Sequence, residues 1–472
     1  MRVLLTNAPV RYYCTTAFYF IDHGSLNLAQ LAAMIDTPEN QIKILDNLHF
    51  YLKSNDIVAT IKEFKPDLLA ISNNTCSDTE LILSIVLEVK EKYPDIILVG
   101  GGQAATIKFD YLLTQGFDFV ILGEGEITFR ELVVALNKKE NDLGRINGLA
   151  YKFNDEIIKN ESRPLVKDLD ELPFPARKYQ KRLKSVFFPN CYSAEIETTR
   201  GCPNLCEFCS ITAFWKHTFR KKTNARIMEE LKKIKYESEA SQVYFIDDNF
   251  GIATREHTEL LECMIKEKLE FKWLAQIMAN TVVDNPEMIK LAARAGLFLA
   301  LVGFETYNDS ILKNIGKNSS KDINLKAAEI LRKNKIAVYG DHMFNLPSQT
   351  KRDYYLSYKH ISSNADVFRV NMFWPVPNTP IFERLNREGK IKNYNIKSYD
   401  YTHYQLDSKV NPKEVTLLYY WYVFRHYFNP KTIINTFFNR DRLARKVKIR
   451  GYISYSRNIF YLIIRKFGIK HI

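Results

Sequence analysis

The sequence predicts an α/β protein: an N-terminal doubly wound domain, then a partial parallel β/α barrel, then a helical C-terminal extension. Three observations carry this. Short apolar runs alternate with segments of helical periodicity over residues 1–140 and again over residues 190–385. A Pro-rich stretch, Leu169-Asp-Glu-Leu-Pro-Phe-Pro-Ala-Arg177, interrupts that alternation as a connector would, because proline fixes φ and discourages continuous helix. Charge is also segregated. The 472 residues carry a formal +13, yet Asn411 to Ile472 holds thirteen Lys/Arg against two Asp/Glu, a net of +11. The other 410 residues therefore sum to +2, which argues against a basic nucleic-acid-binding coat. Apolar residues at 46% and charged residues at 26% exclude wholesale disorder.

In the first domain, strands are expected at Arg2–Thr6, Gln41–Leu45, Asp67–Ser72, Ile96–Gly100 and Phe117–Leu122. Helices are expected at Leu26–Ile35, Ser54–Phe64 and Glu80–Lys92 between them. Ligands of doubly wound sheets sit outside the carboxyl ends of the strands. Here those ends carry Ser72-Asn-Asn-Thr75, Gly100-Gly-Gly-Gln-Ala-Ala-Thr106 and Gly123-Glu-Gly-Glu-Ile-Thr128, whose glycines let backbone approach a bulky ligand. A β-hairpin around Asn154-Asp155 follows. In the second domain, Asn285-Pro-Glu-Met-Ile-Lys-Leu-Ala-Ala-Arg-Ala-Gly296 reads as a helix that starts with Pro in its first turn and stops at Gly. The expected boundaries are 1–145 for the first domain, 146–188 for the linker, 189–388 for the barrel and 389–472 for the extension.

Seven cysteines form an odd, sparse set that does not suggest a disulfide framework. Three of them lie within Thr199-Arg-Gly-Cys-Pro-Asn-Leu-Cys-Glu-Phe-Cys-Ser210, spaced C-x3-C-x2-C. Soft thiolates on one tight loop suit a metal or an iron–sulfur cluster, and three ligands on a four-iron cluster leave one iron open. A zinc site completed by His217, or three unrelated buried thiols, are the alternatives. The N-terminus reads as a strand without an apolar h-region, and the longest apolar run of the tail, Val415–Phe424, stops at Arg425. A cytoplasmic location is expected.

With Phe208 before its last cysteine, the cluster resembles the signature of the radical S-adenosylmethionine (SAM) superfamily. Later segments add to the likeness in the right order. Tyr244-Phe-Ile-Asp-Asp-Asn-Phe250 resembles the second barrel strand, and Leu301-Val-Gly-Phe-Glu-Thr306 the G-[VIF]-E-[ST] strand. Met343-Phe-Asn-Leu-Pro-Ser-Gln-Thr350 resembles the G-L-P-G-E-T turn, with Asn345, Ser348 and Gln349 in place of Gly, Gly and Glu. Trp374-Pro-Val-Pro-Asn-Thr-Pro-Ile-Phe382 resembles P-x-P-G-T-P-[LI]-[YF]. The glycine-bearing loops of the first domain resemble a cobalamin (B12)-binding-type, Rossmann-like domain that precedes the barrel in one large class of the superfamily. In total the resemblance spans residues 1–385.

What it implies is specific. Cys202, Cys206 and Cys209 would hold a [4Fe-4S] cluster, and Phe208, Asp247, Asp248 and Glu305 would contact SAM. Ser72, Asn73, Thr75, Gly101, Gly102, Gly123, Glu124 and Gly125 would line a cobalamin site. The usual cobalt-ligand motif D-x-H-x-x-G is absent; Asp46-Asn-Leu-His-Phe-Tyr51 stands there, leaving His49 as a candidate ligand or a packing residue. The implied chemistry is electron transfer into SAM from a reduced cluster, giving a 5′-deoxyadenosyl radical, and then methylation of an unactivated carbon by way of cobalamin. The substrate would be a small molecule, lipid or isoprenoid, and the electron donor a flavodoxin or ferredoxin. A radical oxidoreductase or cyclase of the same class, and a non-catalytic corrinoid-binding or membrane-associated protein, are the rival readings.

The tail, residues 411–472, interleaves fourteen Phe/Tyr/Trp with its basic residues. That composition suits peripheral contact with the inner face of a membrane, where amphipathic rings and cations meet lipid headgroups. It equally suits a helical cap whose aromatics pack on the barrel. No RNA-binding motif accompanies it.

Overall fold

The structure is a computed structural model that describes residues 1–8, 25–46, 54–74, 79–140, 142–185, 187–188, 190–392, 394, 406, 409–438 and 441–453. The described residues up to Leu183 form one compact unit and those from Lys184 a second.

The first unit is built on one seven-stranded sheet of β1 (Arg2–Asn7), β2 (Gln41–Leu45), β3 (Leu68–Ser72), β4 (Ile97–Gly101), β5 (Phe119–Ile121), β6 (Leu149–Phe153) and β7 (Glu156–Lys159). Its order is β2-β1-β3-β4-β5-β6-β7. The first five strands are parallel, and the order reverses between β1 and β3, the switch point at which such sheets bind ligands. Both faces are covered, one by Leu28, Ala32, Phe129 and Leu132, the other by Ile57, Ile61, Ile82 and Val86. This double covering is why β1, β3 and β4 read as nearly continuous apolar runs rather than alternating ones. The hairpin β6–β7, read as the start of the linker, instead extends this sheet in antiparallel fashion. Asn154 and Asp155 turn it with φ of 49° and 67°, the two left-handed residues that a tight hairpin turn needs.

The second unit holds β8 (Leu183–Lys184), β9 (Tyr192–Ile196), β10 (Thr199–Arg200), β11 (Arg220–Lys221), β12 (Ala240–Phe245), β13 (Lys272–Gln276), β14 (Leu297–Glu305), β15 (Ala337–Phe344) and β16 (Val367–Met372). Strands β9, β12, β13, β14, β15 and β16 pair in sequence order, all parallel, as a curled half-barrel; β10 and β11 form a separate antiparallel pair. Alternation along the strands sorts the side chains. Val243, Phe245, Trp273, Ala275, Val302 and Phe304 pack outward against the helices 224–236, 254–266, 286–294 and 321–333. Tyr244, Leu274, Leu299 and Tyr339 point into the concave face and close its floor together with Phe187 and Phe298.

The C-terminal extension proves to be part of this unit. Helix Pro412–Tyr427 seats Val415, Tyr419 and Tyr422 on Tyr354, Tyr358 and Phe368. A further helical segment, 442–453, inserts Val447 into the floor among Phe298, Tyr339 and Val367, and Lys448 pairs with Asp366 at 3.2 Å. Among the described residues no helix is long and apolar enough to cross a membrane. The substituted turns keep their backbone shape: Asn345, Ser348 and Asn378, at positions where the resembled motifs have glycine, take φ of 62°, 72° and 67°. Gln349 folds back to accept from the Leu346 N–H at 2.8 Å and donate to the Met343 carbonyl at 3.2 Å, bracing a turn that lost its glycines.

If residues 442–453 complete the barrel floor, Val447→Asp buries a carboxylate with no partner. It is expected to destabilise the protein by about 3–5 kcal/mol, read as a lowered Tm. Val447→Ile is expected to stay within about 1.5 kcal/mol of the parent.

Candidate functional site

The cysteine loop starts where β9 leaves the sheet, and its first residues are pinned by the carboxylates that end β12. Asp247, wholly buried, accepts from the Thr198 N–H at 2.6 Å, the Thr199 N–H at 3.0 Å and the Thr198 hydroxyl. Burial pushes its carboxyl up to about 6, against the lowering by the Thr198 and Thr199 donors. Behind it stands His257, whose Nδ1 accepts from the Gly251 N–H at 3.1 Å. The other nitrogen, Nε2, therefore carries the proton and donates to Thr198 Oγ1 at 3.0 Å. Burial holds the His257 imidazole neutral, its pKa lowered to about 4. Asp248, raised to about 7 by burial, accepts from the Gly201 N–H at 3.0 Å. The carboxylates read as SAM contacts thus hold the backbone of residues 198–201. Asp247 Oδ1 takes both backbone N–H groups and Oδ2 the Thr198 hydroxyl, whereas Asp248 remains half-buried beside the loop.

Gly201 sits at φ 87°, and a Cβ there would lie 2.1 Å from the Thr218 carbonyl oxygen. That close approach lets the β10–β11 pair turn the chain into Cys202. The far side of the loop is clamped from two other places. The Glu207 N–H donates to the Ile315 carbonyl at 3.1 Å, and the Glu207 carbonyl accepts from the Ile381 N–H at 3.2 Å. The Glu207 side chain pairs with Arg384 at 2.7 Å. Ile381 and Arg384 belong to helix Pro380–Arg387, which the P-x-P element starts with Thr379 as its cap.

All three thiols therefore sit on one braced loop. Cys206 is buried and its thiol is pushed up to about 11 by burial, opposed by Lys317; burial raises Cys209 as well. Asn204 donates to Cys202 Sγ at 3.2 Å. Buried thiols of high pKa ionise when a cationic group takes their protons' place. Among the described residues no three His, Cys, Asp or Glu side chains are grouped to hold a single metal ion, and His217 is exposed, so the zinc alternative has no fourth ligand in place. A three-thiol donor set on one loop fits a [4Fe-4S] cluster.

Beside the loop, Glu305 ends β14 at a bulge with φ 60°. Its carboxylate accepts from Lys317 Nζ at 3.1 Å, and both are buried. Lys317 also lies over the Phe208 ring at 5.9 Å. Burial alone would lower the Lys317 pKa, but Glu305, Cys206 and Cys209 outweigh it and keep the ammonium charged. Burial raises the Glu305 carboxyl, and Lys317 opposes that. Phe208 and Glu305 thus come together with the thiols, through a lysine that sequence reasoning passed over. Its signal was the Ile-Gly-Lys turn of residues 315–317, which also clamps Glu207. Deeper in the concave face, Arg369 grips Asp341 through two hydrogen bonds of 2.6 and 2.9 Å, and Gln276 donates to the Tyr244 hydroxyl at 3.1 Å. These polar groups lie above the apolar floor; none had been picked from the sequence.

In the first unit the described parts of the predicted loops touch one another along the carboxyl ends of β3, β4 and β5. Asn73 binds β4 and the segment after it: its N–H donates to the Gly101 carbonyl at 2.7 Å, and its carbonyl accepts from Ala104 and Ala105. Its side chain donates to Thr79 at 3.1 Å, while its Oδ1 is buried with no partner among the described residues. Gly102 must be glycine, since a Cβ would meet the Asn73 carbonyl at 2.6 Å. Ser72 accepts from Asn27 at 2.9 Å, and Thr106 accepts from the Gly123 N–H at 3.0 Å. Open space lies beside Gly123, where a Cβ would touch nothing within 4 Å. An orphaned buried acceptor and a small-residue rim fit a large ligand such as cobalamin. Glu124 turns away: buried, it accepts from the Val166 N–H at 2.7 Å. Gly125 caps helix Glu126–Asn137. Asp46, from the altered cobalt-ligand motif, accepts from the Ser25 N–H at 2.6 Å and fixes the start of helix Leu26–Met34. Thr75 and His49 lie outside the described residues.

Comparison with known proteins agrees with this division. Residues 196–361 match the radical SAM superfamily and residues 19–133 the B12 binding domain. An uncharacterized methyltransferase of Pyrococcus horikoshii is 28% identical over 445 residues, 91% of this chain and 93% of the relative. An anaerobic magnesium-protoporphyrin IX monomethyl ester cyclase of Synechocystis is 25% identical, covering 71% of this chain and 67% of the relative. In fold, the chain resembles the radical SAM methyltransferase TsrM of Kitasatospora setae, solved with cobalamin and a [4Fe-4S] cluster, with a TM-score of 0.70. Sequence identity there is 14%, over 97% of this chain and 99% of that one.

Gly201→Ala is expected to displace the loop and to lower iron and sulfide content several-fold after anaerobic reconstitution, with circular dichroism of the barrel retained. Full cluster loading in that variant would mean that the close approach to Thr218 does not position the cysteines.

Proposed function

The chain belongs to the radical SAM enzymes that carry an N-terminal B12-binding domain, and on that premise we propose that it methylates an unactivated carbon of a small-molecule substrate. One observation carries the reading: a braced three-cysteine loop on a parallel half-barrel, in a chain whose other unit has a rim of small residues at the carboxyl ends of its parallel strands. Cys202, Cys206 and Cys209 would hold the [4Fe-4S] cluster. When bound, the cluster and SAM supply a carbon-centred radical able to take hydrogen from an unactivated carbon, and cobalamin supplies the methyl group.

The chain's own residues do the positioning. Asp247, Asp248 and Gly201 fix the approach of the cysteine loop, and Glu207 fixes its exit. Phe208, Glu305 and Lys317 line the place for SAM, where the buried ammonium of Lys317 suits a carboxylate and Glu305 suits an ammonium or ribose hydroxyls. Asp248, half-buried at Gly201, is the further candidate for contact with SAM. Asn73, Ser72, Gly101, Gly102 and Gly123 would border cobalamin. The Arg369–Asp341 pair and Tyr244 with Gln276 offer hydrogen bonds to a substrate seated in the concave face, while the packed floor keeps water from entering below. A flavodoxin or ferredoxin would deliver the electron.

A second reading, a radical cyclase or oxidoreductase, has the cyclase likeness in its favour. Anaerobic incubation with methyl-deuterated SAM and a metabolite extract separates the two. Methylation predicts a product that carries the labelled methyl group, and loss of both product and SAM cleavage when Cys202, Cys206 and Cys209 are changed to Ala. A product that lacks hydrogens and carries no label would favour the second reading. At the SAM site, Lys317→Met is expected to weaken SAM binding at least about tenfold by calorimetry, the scale of one charge-assisted contact, and Lys317→Arg to retain most of it.

A further inference from the structure

Helix Pro412–Tyr427 is apolar on two faces. Val415, Tyr419, Tyr422 and His426 are buried against the barrel. Leu417, Tyr420, Trp421, Phe424 and Phe428 form a second stripe, at positions i, i+3, i+4, i+7 and i+11, and all are exposed. Phe424 and Phe428 stack at 4.5 Å, so the stripe is a packed surface rather than scattered side chains. Helix Pro430–Phe437 adds Ile434 and Phe437, and Phe438 follows at 77% exposure. A helix that is apolar all round is ordinarily covered on both sides, and here the second stripe is exposed among the described residues.

Charge says what covers it. Residues 412–438 hold Lys413, Arg425 and Lys431 against one acid, Glu414, a net of +2, and that acid is already engaged. Glu414 pairs with Lys351, and Asp441 accepts from the Leu443 and Ala444 N–H groups. Lys413, Arg425 and Lys431 flank the stripe and are exposed, with the Arg425 guanidinium over the Trp421 ring at 4.8 Å. Aromatic rings with polar edges, interleaved with cations and with their one acid paired, match the headgroup layer of an anionic membrane, into which rings insert while cations stay at the phosphates. We propose that residues 412–438 dock this enzyme onto an anionic lipid surface through the Leu417–Phe428 stripe, so that the tail is at once barrel cap and membrane foot.

The test uses the full chain with vesicles of phosphatidylcholine alone or mixed with phosphatidylglycerol. Cosedimentation is expected to be at least tenfold stronger on the anionic vesicles and to fall with added salt. Leu417→Glu/Phe424→Glu, both exposed positions, should abolish it with Tm unchanged. Brominated phosphatidylglycerol should quench tryptophan fluorescence of the parent, and Trp421→Phe should remove most of that quenching, a check that holds even if the double variant fails to fold. Absence of binding by the parent, or equal binding to neutral vesicles, overturns the proposal. So does concentration-dependent self-association that the double variant abolishes, because a second copy would then cover the stripe.

Discussion

Two adjacent carboxylates at the end of one strand organise the second unit. Asp247 and Asp248 reach from β12 to the neighbouring β9 and take the backbone N–H groups of Thr198, Thr199 and Gly201, the last residues before the cysteines. An N–H donated to a carboxylate is worth more than one donated to a carbonyl, and Asp247 sits where water does not compete. The cost is desolvation, which outweighs the donors that meet the two acids and leaves both pKa values raised. The His257–Thr198 contact locks the arrangement from behind. A loop that must present three thiols at fixed positions is thereby referred to the sheet rather than left to its own conformation.

The half-barrel and the cysteine loop were legible because their signals are local. C-x3-C-x2-C occupies eight residues, and alternating strand and helix periods recur along the chain. The roles of Asp247 and Glu124 were not legible, because a carboxylate at a strand end looks the same whether it faces a ligand or a neighbouring backbone. Only the pairing of β12 with β9 decides the first case, and only the return of Val166 decides the second. Lys317 escaped for a related reason: it lies twelve residues beyond Glu305, and the Ile-Gly-Lys turn marks a bend there without saying that the intervening helix brings the ammonium back to that carboxylate. Asn345, Ser348 and Asn378 teach the converse. Their side chains depart from the resembled glycines, yet the backbone keeps left-handed φ at all three, so the turn geometry outlasts the residue that best suits it.

The first unit shows the same separation of scaffold and rim. Its sheet order follows from double-sided apolar strands, whereas the rim depends on single contacts such as Asn73 to Gly101 and Thr106 to Gly123. Asp46 is instructive. In this chain it is spent on the start of a helix, through the Ser25 N–H, so its presence in the altered motif says nothing by itself about a cobalt ligand.

The insertion of Val447 into the barrel floor has a consequence for biogenesis. A vectorially synthesised chain can assemble β9 to β16 as soon as β16 leaves the ribosome, but the floor stays unsealed until residues 442–453 follow. During that interval Phe298, Leu299 and Tyr339 face solvent on their inner side. The nascent barrel is then at its most prone to aggregation and the site at its most accessible from below, which makes the docking of residues 442–453 the step that seals the barrel.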